Sequence, residues 1–292
     1  MQILTTPPVP LAQVCIYGAS GAGKTALGTH LNWGTPRWGE RGIYVAADPS
    51  SEKLESIHPD DRKRLIVVKM APKTVNGKQV LDPHAEMCEI CSHDWKAEYP
   101  DVGTIILDGG TELADMLLRS YANQGVFAGA SGDKHLMVGE KGKSSYMAQP
   151  VRGDYGMAQN GMNHILGFLL NQPLSVIFIC QETIIDVPGS ATSIGGPAGA
   201  GKAATNRIAS KFNTLIRAES RSTSIPNKNG MVVNATEYRV YTEPRGIWMG
   251  KLRKPIGMDN PIAEMNVTGR VHEFWHTFDK FAVHWTDDNG GQ

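Results

Sequence analysis

Gly18-Ala19-Ser20-Gly21-Ala22-Gly23-Lys24-Thr25 fits the phosphate-binding pattern G-x-x-x-x-G-K-[ST] at every fixed position. An apolar run, Val14-Cys15-Ile16-Tyr17, enters it, and a helix-compatible run from Ala26 to Trp33 leaves it. Glycine lets the backbone wrap tightly enough for successive N–H groups to point at one anion. A lysine at position 24 reaches the outer phosphates, a hydroxyl at Thr25 ligates Mg²⁺, and the N–H groups through Ala26 complete the cradle. Strand, loop and helix in this order predict a nucleoside triphosphate site.

The surrounding chain bounds the fold. Its 292 residues, 41% of them apolar, suffice for a substantial core, and the formal net charge is zero. Neutrality removes any global attraction to nucleic acid or to an anionic membrane surface. No run approaches the roughly 18 apolar residues of a membrane span, and the start of the chain lacks a signal-peptide pattern. Four cysteines in this length fit a reducing cytoplasm better than a disulfide scaffold.

Short β-rich runs alternate with helical patterns, which predicts an α/β fold with a mostly parallel sheet flanked by helices. The predicted strands are Val14–Tyr17, Ile43–Ala47, Leu65–Lys69, Thr104–Leu107, Ser175–Cys180, Leu215–Ala218, Tyr238–Thr242 and Ile247–Lys251. Thr111 to Gln124 reads as a helix with Leu113, Met116, Leu117 and Tyr121 on one face. Asp154 is placed to cap another, whose stripe is Met157, Gly161, Ile165, Leu166, Leu169 and Leu170. Gly125 to Gly153 and the glycine-rich Thr183 to Thr205 resist regular assignment, as functional loops do. The C-terminal section reads as β-rich, and Thr286 to Gln292 as a frayed tail.

Thr104-Ile105-Ile106-Leu107-Asp108 is a buried strand ending in an acid, the expected partner of a P-loop, with Asp108 facing the Mg²⁺ shell through a bound water. A further group must orient the attacking water. Asp48, after the second strand, is either that group or a turn residue ahead of Pro49. Gln181 and Glu182 follow the strand Ser175–Cys180, where a polar side chain senses an outer phosphate, although a lone acid there is as readily a solvated residue.

His84, Cys88, Cys91 and His93 include a C-x-x-C and raise the question of zinc. On a helix, however, His84, Cys88, Cys91 and Trp95 share one face, which favours a core-facing stripe with His93 pointing elsewhere. Gly196 to Lys202 imitates a second P-loop, but Ala203 stands where the metal-binding hydroxyl belongs. Lys202, Arg207, Lys211, Arg217 and Arg221, against Glu219 alone, form either a phosphate-backbone contact or a solvated face.

The order of these motifs resembles the RecA/RadA-like core ATPases, most closely a phage branch of nucleotide-binding proteins that includes single-strand-annealing proteins of the Sak type. The resemblance rests on Ile16-Tyr17-Gly18 and Gly42-Ile43-Tyr44-Val45, then on Ile105 through Leu113, Asp154-Tyr155-Gly156, Val176 to Gln181 and Gly199-Ala200-Gly201-Lys202-Ala203. It implies one RecA-like domain, with a core over about residues 12–255 and an extension over about 256–292. It puts Asp48 where such enzymes keep a longer, water-activating glutamate, and Gln181 where the γ-phosphate is coupled to the next loop. Thr183–Thr205 and Gly125–Gly153 then correspond to the two DNA-binding loops. Trp248-Met249-Gly250-Lys251-Leu252-Arg253 resembles a motif whose basic pair, here Lys251 and Arg253, enters the neighbouring subunit's nucleotide site. A strand edge guarded by charge is the plainer reading of that pair. The resemblance thus implies Mg-ATP hydrolysis in a ring or filament that handles single-stranded DNA in recombination or annealing, within the cytoplasm. The rival expectations are a DNA-independent assembly or remodelling ATPase and a non-hydrolysing, nucleotide-gated module.

Overall fold

The structure, a computed structural model, describes residues 11–47, 52–75, 78–124, 137–138, 147–187, 189–226, 231–253 and 258–287. The chain runs β1 (Gln13–Gly18), α1 (Lys24–Thr29), β2 (Arg41–Ala46), α2 (Glu52–Glu55), α3 (Pro59–Arg62), β3 (Leu65–Lys69), β4 (Lys73–Val75) and β5 (Lys78–Val80). It continues with α4 (Pro83–Ser92), α5 (Trp95–Glu98), β6 (Val102–Asp108), α6 (Gly110–Gln124), β7 (Met137–Val138), β8 (Met147–Ala148) and α7 (Arg152–Leu170). The last third holds β9 (Ser175–Asp186), β10 (Ser193–Pro197), α8 (Lys202–Lys211), β11 (Thr214–Pro226), β12 (Val232–Tyr241), β13 (Glu264–Asn266) and α9 (Val271–Asp287).

Among the described residues the main sheet has the order β13-β12-β11-β1-β9-β6-β2-β3, with β10 added to β9. The pairings from β11 across to β3 are all parallel, and β12, β13 and β10 join antiparallel. This is the expected α/β layout: a parallel centre covered by helices and a β-rich C-terminal side. β1 and the strand carrying Asp108 are not neighbours, because β9 lies between them.

Central strands buried on both faces are largely apolar, and β1, β6 and the first half of β9 are so apart from Gln13, Thr104, Asp108 and Ser175. Alternation sends their side chains to two separate cores. One face receives Cys15, Tyr17, Val45, Leu107 and Phe178 and is covered by α4, α6, α7 and α8. The other receives Val14, Ile16, Tyr44, Ile106 and Ile177, and is covered by α1 and by Phe274, Trp275 and Phe278 of α9.

Several elements depart from the sequence reading. The helix after the P-loop stops at Thr29 instead of Trp33. There the Thr29 hydroxyl donates back to the Thr25 carbonyl at 2.8 Å, a bond that competes with helix propagation. Asp154 is not the N-cap of α7. Val151 is, and Asp154, one turn in, accepts its backbone N–H at 2.8 Å. Ile247–Lys251 forms isolated bridges to Gly195 and Leu215, not a strand. Thr183–Thr205 is no irregular loop but the β9–β10 hairpin and the start of α8. Glycine is a poor strand former, yet a Cβ at Gly195 would lie 2.2 Å from the Trp248 ring, so the hairpin needs that glycine. β9, β11 and β12 also run past the apolar cores by which they were recognised.

Candidate functional site

β1 ends at Gly18, whose register neighbours are Gln181 on β9 and Ala218 on β11. A Cβ here would meet the Ala218 carbonyl oxygen at 2.1 Å, so only glycine lets the chain leave the sheet between those strands. Gly21 and Gly23 then adopt φ of 75° and 76°, a left-handed backbone that L side chains rarely hold. The two turns aim the loop inward and start α1 at Lys24. Because α1 has only 6 residues, the pull on an anion comes mainly from loop N–H groups and the lysine, less from a macrodipole.

Lys24 Nζ donates to the carbonyls of Gly18 at 3.0 Å and Ala19 at 2.7 Å, and to Gln181 Oε1 at 3.3 Å. The ammonium thus lies folded over its own loop, next to the side chain expected to sense an outer phosphate. Gln181 is itself positioned by a backbone N–H bond to Thr111 Oγ1 at 2.9 Å. Thr25 Oγ1 donates to Asp108 Oδ2 at 2.6 Å, and the Tyr44 hydroxyl donates to the same oxygen at 2.7 Å. P-loop hydroxyl and strand-end carboxylate therefore meet, with Asp108 2% exposed. Behind Asp108 the chain turns through Gly109 at φ 100° into α6.

These groups open on a cavity of about 500 Å³ lined by Ser20 through Ala26, Asp108, Glu112, Gln181 and Tyr238, among others. Its size suits a nucleotide-sized ligand. The glycine cradle, the lysine and the hydroxyl–carboxylate pair fit a magnesium-bound triphosphate in donor type and spacing. Tyr44, Thr111, Glu112 and Tyr238 were missed from the sequence. Glu112 follows Asp108 closely enough to have been noticed. Tyr238 comes from remote β12, and only the fold sets its ring 3.2 Å from where a Gly23 Cβ would stand.

The remaining candidates divide. Asp48 lies outside the described residues; Ala47 just before it donates its N–H to the Asp108 carbonyl at 2.9 Å. Glu182 is held by Arg217 Nε at 3.1 Å and is not among the residues lining the cavity. Arg217 also binds Glu219 at 3.0 Å and lies 4.0 Å over the Trp248 ring. Burial holds the neighbouring Tyr17 phenol well above its ordinary pKa, so it stays protonated and donates to the Met249 carbonyl. Lys251 Nζ donates to the Phe212 carbonyl at 2.7 Å, and Arg253 lines a second, smaller cavity with Gln13 and Phe278. Neither basic residue lines the phosphate cavity.

The basic segment is less positive than its sequence. Arg217 and Arg221 pair with Glu182 and Glu219, and Lys202 with Asp186 at 3.8 Å. Arg207 remains exposed on α8. Most of Gly125–Gly153 lies outside the described residues. The core-facing stripe holds only in part: Cys91 is buried and His93 points elsewhere, as expected, but Cys88 is half-buried beside His164 and Trp95 belongs to α5. Cys91 is fully buried, its thiol pushed up to about 12 by burial, while His93 ends α4 and bonds Glu98 at 2.7 Å. No described helix is long and apolar enough to cross a membrane.

No family model matches the chain, and no curated protein matches it. Among solved structures, it is similar to a KaiC-like protein, PH0186, from the hyperthermophilic archaeon Pyrococcus horikoshii OT3, at 9% identity and a TM-score of 0.41, over 87% of this chain and 84% of that one. It is also similar to the RadB recombinase, at 12% identity and a TM-score of 0.34, over 82% of this chain and 93% of that one. Both likenesses are distant, and the candidate nucleotide site stands on this chain's own residues.

Proposed function

We propose that the chain is a RecA-like Mg-ATPase that assembles side by side and acts on single-stranded DNA in phage-type recombination or annealing. One observation carries the ATPase reading: Lys24, Thr25, Asp108 and Gln181, from three separate strand ends, converge on one cavity of about 500 Å³. On binding, Lys24 exchanges the Gly18 and Ala19 carbonyls for phosphate oxygens, and the N–H groups of Gly21 to Ala26 take the rest. The Thr25 hydroxyl and the Asp108 carboxylate hold the magnesium shell, with Tyr44 fixing the carboxylate. When bound, Mg²⁺ neutralises charge on the outer phosphates. Asp48 is assigned the attacking water, with Glu182 as the second candidate.

Gln181 links nucleotide to effector. Its side chain touches Lys24, and the next residue, Glu182, is paired with Arg217 at the root of the β9–β10 hairpin. Moving Lys24 onto a phosphate frees Gln181 to move the hairpin, which is assigned to DNA. Lys251 and Arg253 are assigned to the neighbouring subunit's nucleotide, and the assembly to the cytoplasm.

Asp108→Asn tests the metal role. The variant is expected to bind ATP but to lose at least about tenfold in Mg²⁺-dependent turnover, the scale seen when a group holding a metal shell is removed. Unchanged turnover would remove Asp108 from the metal site.

The paired state of Arg217, Arg221 and Lys202 favours a second reading, an assembly or remodelling ATPase indifferent to DNA. Hydrolysis measured with and without single-stranded DNA at low and moderate salt separates the two. Stimulation that fades as salt rises is the expected result, because phosphate contacts release counterions. A rate unaffected by DNA overturns the DNA assignment and leaves the ATPase standing. No turnover at all leaves a nucleotide-gated module.

A further inference from the structure

α4 and α7 pack side by side over the sheet face opposite α1. His84 and Cys88 are one helical turn apart on α4, and His164 faces them from α7. Cys88 Sγ lies 3.8 Å from His164 Nδ1, and His84 Nε2 lies 3.3 Å from that same nitrogen. All three donor atoms lie within 4.8 Å of one another. We propose that His84, Cys88 and His164 form a zinc site that clamps α4 to α7.

One strong hydrogen bond accounts for only one of the two contacts at His164 Nδ1. An imidazole Nδ1 carries either one proton or one lone pair, so it makes a single bond in its ring plane. Here two groups approach it at once. A shared cation satisfies all three. Zinc bound at about 2.0–2.1 Å to nitrogen and 2.3 Å to sulfur, with tetrahedral angles, sets N···N edges near 3.3 Å and S···N edges near 3.6 Å. The two edges at His164 Nδ1, 3.3 Å and 3.8 Å, are close to these values, and the Cys88–His84 edge lies within 4.8 Å.

The donor set selects the metal. Two imidazoles and a thiolate suit zinc, whereas Mg²⁺ and Ca²⁺ take oxygen ligands, so this site does not compete for the magnesium of the nucleotide site. None of the three residues lines the phosphate cavity. His84 is fixed at the start of α4, where Asp82 accepts its backbone N–H and that of Ala85, each at 3.1 Å. The ring of Tyr121 lies beside His84 and that of Phe168 beside His164, limiting how far either imidazole can swing. His164 is exposed and the other two half-buried, so a metal ion enters from solvent and water takes the fourth position. The chelate differs from the one the sequence suggested, because Cys91 faces the core and His93 bonds Glu98.

The test uses tag-free, full-length, metal-stripped protein titrated with zinc in excess Mg²⁺, with bound zinc counted by mass spectrometry after gel filtration. One zinc per chain is expected. Cys88→Ser and His164→Gln are each expected to weaken binding by at least about tenfold, since losing a ligand should cost no less than losing its supporting partner. ATP binding retained by both variants shows that they are folded. Cobalt in place of zinc should give a thiolate charge-transfer band that Cys88→Ser abolishes. His93→Gln should bind zinc like the parent chain. Zinc binding unchanged in Cys88→Ser and His164→Gln, binding lost in His93→Gln, or no zinc retained by folded parent protein would each overturn the site.

Discussion

Lys24→Ala protein is expected to bind ATP about 10- to 100-fold more weakly than the parent while keeping its fold. The factor follows from removing a charge-assisted hydrogen bond, worth roughly 1.5–3 kcal/mol, in a partly enclosed cavity. The fold should survive because Lys24 Nζ supports no core packing. Its partners include the Gly18 and Ala19 carbonyls and Gln181 Oε1, in the loop and at the strand end beside the cavity. Calorimetric titration with ATP and Mg²⁺ gives the affinity, and a thermal melt of the same samples gives the fold. Parent-like affinity in Lys24→Ala would remove the lysine from the nucleotide site and with it the functional reading. Lost affinity with an unchanged melt would tie the loss to the phosphate contact itself.

The proposed nucleotide site was legible because its chemistry is local. Glycines 18, 21 and 23, Lys24 and Thr25 are consecutive or nearly so, and each does what its residue type allows: a close approach to Ala218, two left-handed turns, a cation and a hydroxyl. Asp108 was legible because its strand follows a P-loop in the expected order; an acid at a strand end is by itself a weak signal. What stayed hidden depends on distant strands meeting. Tyr44 reaches Asp108 across the β2–β6 pair, and Tyr238 arrives from the antiparallel side of the sheet. The β9–β10 hairpin was read as a loop because its glycines depress strand propensity, and nothing nearby announces that Trp248 will occupy the space they leave. The histidine–cysteine cluster was half visible. One helix turn supplied His84 and Cys88, but the third ligand comes from α7, and no spacing rule reaches that far.

α9 was passed over, although Phe274, Trp275 and Phe278 share one face at helical spacing, and that face closes one of the two cores. Trp275 is fully buried, packs edge-to-face on Trp38 with centroids 5.1 Å apart, and donates its indole N–H to the Leu27 carbonyl at 2.8 Å. Leu27 lies in the last turn of α1, whose carbonyls have no partner within the helix, so the indole completes the helix that begins with Lys24. Trp38 in turn donates to Asp279 of α9 at 2.9 Å. Trp275→Ala is therefore expected to destabilise the protein by about 3–5 kcal/mol, the usual range for emptying a large aromatic site. That is a large share of the roughly 5–15 kcal/mol that holds most domains folded. Urea unfolding followed by circular dichroism gives the value. Trp275→Phe, which keeps most of the ring but leaves the Leu27 carbonyl without its donor, should lose only about 1–3 kcal/mol. Because α9 supports α1, saturating Mg-ATP should restore part of the loss; at 100 times Kd, linkage supplies about 2.7 kcal/mol. Parent-like stability in Trp275→Ala would mean that α9 is not docked on α1 in solution. Destabilisation that ATP cannot offset would mean that the folded variant no longer presents Lys24 and Thr25 to the nucleotide.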